Sequence, residues 1–339
     1  MANFSSYSMP QFTDLIQRSF VFSGKKLESV MKAAAFVIKD TLPHGTGNTR
    51  RYAEMVDADQ YAGVRDEGGV SRQARIQYGY EKDLTTYTIS QERSITKLMR
   101  DAGKNPEIIK AITDLSEVCP NTIDLDLSHR FTFFDATSYT RTAGGTSTTV
   151  DLTVGDGLAF GSTVHKLTGS ATTYNNIISG NPQFSKGALE NAEKLFVEET
   201  YDNLGVKMAM SADTILTTDD PNTINQVREL LNATANVDSN NANTFNVYKG
   251  SYKHVIAPRI ATTAAGATDT TKRKYWALIA SKNSSMYFTT LNAPYLKTPM
   301  DGNNGEEFSS ENWNYLAGAD YGIVIVSPKW AKLSKGTGA

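Results

Sequence analysis

Apolar positions at helical spacing mark three stretches of this chain. Phe12, Leu15, Ile16 and Phe20 recur every three to four residues behind Pro10 and predict a short amphipathic helix over 10–22. Over 105–136 the stripe is longer. Ile108, Ile109, Ile112, Leu115 and Cys119 share one face, and Ile123, Leu127, Phe131 and Phe134 continue it. Asn105 and Pro106 suit the first turn, and Pro120 should bend the helix or divide it in two. The clearest pattern is 185–205: Ser185 as cap, Leu189, Ala192, Phe196, Thr200 and Leu204 on one side, and Gly205 as stop. Asp220-Pro221 opens a further helix, with Ile224, Val227 and Leu231 facing inward.

Period-two alternation predicts a strand at 149–154, and 212–218, 252–260, 274–280 and 321–327 read as further strands. Residues 261–272 and 299–310 read as loops. Residues 48–90 are a different kind of segment: a long two-stranded hairpin with Gly68-Gly69 near its middle and few apolar residues. It carries Arg50, Arg51, Glu54, Asp57, Asp59, Arg65, Asp66, Glu67, Arg72 and Arg75. An isolated hairpin is marginal in water, so this ribbon should lie against another polar protein surface.

Composition narrows the function. The chain has 339 residues, which suggests two domains or one discontinuous domain. Lys and Arg number 34 and Asp and Glu 36, so no basic excess marks a dedicated nucleic-acid binder. The single cysteine excludes an intrachain disulfide and a Cys-rich metal site. No apolar run approaches the ~18 residues of a spanning helix. The first residues lack the basic start and apolar stretch of a signal peptide, so synthesis is expected in a cytoplasm.

Candidate chemistry is sparse. Gly155-Asp156-Gly157-Leu158-Ala159-Phe160-Gly161 follows a predicted strand as a dinucleotide loop would. Its third glycine comes one residue late, and no acidic residue stands ~20 positions on. No phosphate-loop, zinc-protease or nucleophile-elbow pattern occurs. His44, His129, His165 and His254 are far apart in sequence. Cys119 sits inside a helical apolar stripe and reads as a packed thiol. Glu54, Asp57 and Asp59 suit a partner-facing hairpin edge better than a cation site. Trp313, Tyr315, Tyr321 and Trp330 suit packing better than a ligand platform. No catalytic, cofactor-binding or metal-binding residue is assigned.

The run 155–160 with Ser162, Thr163 and His165 resembles the "DGLALFSTAHP" segment of tailed-bacteriophage major capsid proteins. The family's next features follow in order. An Asn-bearing loop matches Tyr174-Asn175-Asn176, and the helix start "LSxxALExA" matches Phe184 to Ala192. Then come Gly205, a strand at 214–217, the Val227–Leu231 helix and the strand Tyr275-Trp276-Ala277-Leu278-Ile279-Ala280. The order spans about residues 10–333. Lys166 stands where the family often has Pro, and Gly161 where a bulky residue is common.

The resemblance implies an α+β tailed-phage major capsid protein fold. Residues 1–47 would be the N-terminal arm and 48–90 the extended loop. Residues 91–184 with 311–339 would form the peripheral domain, with a spine helix at 105–136, and 185–310 the axial domain. It implies no enzyme and no cofactor. It implies self-assembly through hexamers and pentamers into an icosahedral shell around non-specifically held double-stranded DNA, in a virion assembled in bacterial cytoplasm. Scaffolding, portal and decoration proteins would be partners, and a membrane would not. The alternative within the fold is an encapsulin-like nanocompartment shell. The hairpin charges, with Phe12 and Phe20 of the arm, are the expected subunit-interface residues. Some shells of this fold crosslink Lys to Asn; nothing in this sequence selects such a pair.

Overall fold

The computed structural model describes residues 30–57, 61–71, 73, 76–235, 245–299 and 309–338. The predicted helix at 10–22, with Phe12 and Phe20, lies outside them, as do Asp59, Arg72 and Arg75. The described chain begins with α1 (Val30–Ala33), β1 (Val37–Thr41), β2 (Thr49–Asp57), β3 (Ile76–Thr85), β4 (Tyr87–Ile95), α2 (Lys97–Asp101) and α3 (Asn105–Thr132). The short pairs β5 (Ser138–Arg141) with β6 (Thr148–Asp151) and β7 (His165–Lys166) with β8 (Thr173–Tyr174) follow. Next are α4 (Lys186–Glu198), β9 (Thr214–Thr217), α5 (Pro221–Asn232), β10 (Lys253–Ile256) and β11 (Trp276–Ile279). The chain closes with β12 (Met286–Lys297), β13 (Trp313–Ile325) and β14 (Ala331–Ser334).

Two four-stranded sheets organise these elements, in the orders β1-β12-β13-β4 and β10-β9-β11-β14. Helix α3 packs on the first. Its stripe of Ile108, Ile112, Leu115, Cys119, Ile123, Leu127 and Phe131 is buried throughout. The helix runs on through Pro120 without a break. An interior proline costs ~3 kcal/mol, and the apolar stripe buried on both sides of it outweighs that cost.

Trp330 centres this core. It stacks on Phe36 with centroids 6.0 Å apart and meets Phe131 and Phe160 at 6.4 and 5.5 Å. Helices α4 and α5 pack on the second sheet. Leu189, Ala192, Phe196, Val227 and Leu230 form that core with Trp276 and Leu278. Ser185 caps α4 by accepting from the Ala188 amide, as its position predicts, and Asp220 caps α5 through the Thr223 amide.

Differences from the sequence expectation concern one helix and several strands: α4 ends at Glu198, so Thr200 and Leu204 lie beyond it and Gly205 is not its stop. The ribbon ends at Thr85: its return strand breaks at Thr86, and Tyr87 onward joins β13 as the edge of the first sheet. Strand β13 is far longer than 321–327, because its almost wholly buried residues remove the polar alternation that marks a half-exposed strand. Strand β12 escaped the periodicity reading altogether. Its register shifts twice around Asn292 and before Tyr295, next to Pro294, which breaks the period of two. Strand β14 pairs with β11 of the second sheet, so the C-terminal segment serves both sheets.

Lysine 332, on β14, is fully buried. Its Nζ donates to the carbonyls of Asn175 at 3.0 Å and Glu199 at 3.3 Å and lies over the Phe196 ring. Burial pushes this amine down from 10.5 to about 7, with Glu199 pulling weakly the other way. Between pH 7 and 9 the unfolded chain therefore binds a proton that the folded chain lacks, so stability rises with pH, by up to ~1.4 kcal/mol per unit. Thermal unfolding across that range should show the rise in the wild type and its loss in Lys332→Met. An equal slope in both proteins would refute the assignment.

Candidate assembly surface

The hairpin divides into an anchored base and a bare tip. At the base, Tyr52 and Leu84 stand near each other because β2 and β3 pair in the register Arg50↔Leu84, Tyr52↔Lys82. Both are buried against Val324 and Val326 of the chain's own C-terminal region. The Tyr52 ring stacks on Tyr287 at 4.1 Å. Its hydroxyl lies 2.7 Å from Asp40 Oδ2 and 2.6 Å from Thr289 Oγ1. Burial, helped by Asp40, pushes this phenol up to about 12.

Charged residues reinforce the seat. Lys329 Nζ lies 3.2 Å from Glu54 Oε1 and donates to Asn203 Oδ1 at 2.7 Å. Three segments distant in sequence meet there. Gly79 makes room: a Cβ at that position would sit 2.5 Å from Asn203 Nδ2. Lys82 ties the return strand to Asp151 at 2.8 Å. Arg50 pairs with Asp40 at 3.0 Å, and Arg51 grips Asp83 through two nitrogens. That exposed pair raises the guanidinium and lowers the carboxyl from their ordinary values.

Part of the surface that the ribbon was expected to lie against is thus its own chain. The base of the ribbon rests there, and Arg50, Arg51 and Glu54 have intrachain partners. Asp57 ends β2. The long-range partner Lys329 offered no signal in the sequence, because nothing local links it to Glu54.

The tip, 61–71, has none of this packing. Val64 and Val70 are as exposed as in an extended peptide, at 102% and 97%, and Tyr61 is 72% exposed. A turn closes at Gly69, whose amide donates to the Asp66 carbonyl at 2.9 Å, with Gly68 at φ 77°. Arg65, Asp66 and Glu67 cluster at this turn and are exposed. Tyr61, Val64 and Val70 thus stand in water without packing partners in their own core.

The glycine-rich run 155–161 spends its polar groups on the fold. Asp156 Oδ2 accepts from His165 Nδ1 at 2.8 Å and from the Lys166 amide at 3.3 Å, and Oδ1 accepts from the Leu158 amide at 3.0 Å. These hydrogen bonds hold the Asp156 carboxyl below its ordinary range against the opposing effect of burial. Asn176 bridges the same turn, donating to the Phe160 carbonyl at 2.7 Å and accepting from the Ser162 amide at 2.9 Å. Gly161 lies where a Cβ would strike the Phe134 ring at 2.3 Å, which accounts for the small residue here. Cys119 is buried and its thiol is pushed up to about 11 by desolvation. The described residues contain no group of three or more His, Cys, Asp or Glu able to hold a metal ion. They also include no helix long and apolar enough to cross a membrane.

No family model and no curated protein matches the sequence. Solved structures do match. A chain from Gordonia phage Cozz is similar over 90% of this chain and 85% of its own, at 13% identity and a TM-score of 0.51. The capsid of the cyanophage P-SCSP1u matches over 87% and 85%, at 10% identity and a TM-score of 0.49. The virus-like particle from Pyrococcus furiosus matches over 95% and 98%, at 11% identity and a TM-score of 0.45. The first likeness shows the fold alone: α+β, of the kind found in phage major capsid proteins.

Proposed function

We propose that this chain is a major capsid protein that assembles through hexamers and pentamers into an icosahedral phage head around double-stranded DNA. The observation that carries this reading is the projecting hairpin, anchored on its own chain at the base and bare at an apolar, charged tip, within a shell-protein fold. Heterologous contacts repeated around a ring close into capsomers, and many weak contacts together give a durable particle.

In this reading Arg65, Asp66 and Glu67 set register between neighbours, and mixed charges suit partner choice more than raw affinity. Asp57, Asp59, Arg72, Arg75, Phe12 and Phe20 belong to the same proposed interface. The near-neutral net charge limits repulsion between copies. A scaffolding protein would guide assembly, a portal would occupy one vertex and a decoration protein would bind outside. Assembly would take place in bacterial cytoplasm.

Negative-stain microscopy of the expressed protein with its scaffold should show closed shells or free capsomers. A protein that stays monomeric with scaffold present overturns the proposal. Shells filled with a cellular cargo enzyme would instead assign the nanocompartment role.

A further inference from the structure

One lysine, one asparagine and one glutamate meet behind the hairpin base. Lys329 lies between β13 and β14, Asn203 between α4 and β9, and Glu54 on β2. Lys329 and Asn203 are 7% and 2% exposed, and Glu54 is half-buried. Lys329 Nζ donates to Asn203 Oδ1 at 2.7 Å. The amide carbon stands one bond, ~1.2 Å, behind that oxygen. Glu54 Oε1 lies 3.2 Å from the same lysine nitrogen. An amine, a carboxamide and a carboxylate are thus in contact in one small, largely dry space.

Two atoms of this group are left over. Asn203 Nδ2 and Glu54 Oε2 are buried and have no hydrogen-bond partner. A Cβ on Gly79 would lie 2.5 Å from the first and 2.9 Å from the second, so the two flank one point. A buried polar atom without a partner is costly, and a site that serves only as an ion pair has no use for two of them. The local backbone aims the carboxylate at this point. The β2–β3 register shifts between Ala53↔Glu81 and Met55↔Tyr78, which sets Glu54 opposite Gly79 and Tyr80. An irregularity of this kind re-aims a side chain and recurs beside reactive sites. The backbone at Asn203 is held as well, since its carbonyl accepts from the Gly169 amide at 2.9 Å.

We propose that Lys329 and Asn203 form a covalent isopeptide bond within one chain, with Glu54 carrying the protons. Proton transfer from Lys329 to Glu54 leaves both groups neutral, which a site that excludes water favours over buried charges. The neutral Nζ attacks Asn203 Cγ. The Cγ–Nδ2 bond breaks, and the departing nitrogen takes two protons from the lysine, relayed by Glu54, and leaves as ammonium. Glu54 ends as the carboxylate it was at the start, and no oxidant or cofactor is consumed. Holding amine and carbonyl in contact removes the entropic cost of a bimolecular encounter. The new amide replaces the ion pair and closes residues 203–329 into a covalent ring containing β9 to β13. It joins no two copies, and it stands independently of the shell reading.

Intact mass spectrometry of the full-length protein, denatured after purification, reads the bond. The wild type should be lighter than its sequence by one ammonia. Its tryptic digest should contain one branched peptide that joins the segments around Asn203 and Lys329. Lys329→Arg and Glu54→Gln should each show the full mass of their own sequence, with circular dichroism checking that they fold. Glu54→Gln keeps the amine and the amide and removes only the proton carrier. A folded wild type of full mass overturns the proposal whether or not the variants fold. Loss of ammonia without the branched peptide overturns it too. Complete bond formation in Glu54→Gln overturns the role given to Glu54.

Discussion

Replacing residues 58–75 by a two-residue turn should abolish shell formation while the subunit keeps its fold. The excised segment contributes no buried apolar side chain among its described residues, and its valines stand in water. What holds the ribbon is left in place: Tyr52, Leu84, the Glu54–Lys329 ion pair and the Lys82–Asp151 tie. Thermal stability of the isolated subunit should therefore change by less than ~1 kcal/mol, within the range of surface changes. Assembly should fall from closed particles to monomers or small rings, because a shell loses this contact at every subunit at once. Circular dichroism with calorimetry reads the first expectation, and microscopy with sedimentation reads the second. Shells of normal yield from the truncated chain would refute the role given to the tip. Loss of folding would refute the division into base and tip.

Leu189→Asp should have the larger effect on the subunit itself. Leu189 is fully buried on α4, among Ala192, Phe196, Val227 and Leu278. The substitution removes an apolar side chain and places a carboxylate where nothing pairs with it. Mechanisms of this kind cost more than ~4 kcal/mol, a large part of the 5–15 kcal/mol that holds a typical domain. The variant should lose the cooperative unfolding transition or give insoluble protein, whereas Leu189→Met should lose less than ~1.5 kcal/mol. Denaturant titration of the two variants separates them. A well-folded Leu189→Asp subunit would show that α4 does not anchor the second core.

The two expectations draw on different sources. The second was legible in the chain: Ser185 and the spacing of Leu189, Ala192 and Phe196 fix the helix and its inward face, although the helix ends at Glu198 and not at Gly205. The same holds for α3, whose stripe repeats over seven turns and outweighs Pro120. The mixed charges of 48–90 likewise announced a ribbon with little core of its own. Local periodicity writes such features, since a residue three or four positions away is a neighbour in space as well.

Other features depend on residues that meet only after folding. That the ribbon has a seat follows from Lys329 reaching Glu54 and Asn203, and from Tyr52 meeting Tyr287 and Thr289. Strand β12 hid behind a bulge beside Pro294, and most of β13 hid because burial on both faces erases alternation. The Asp156–His165 pair shows the boundary between the two. Its residues stood out as a motif, but only the tertiary structure made it a buried brace, because its hydrogen bonds gain their strength where water is excluded.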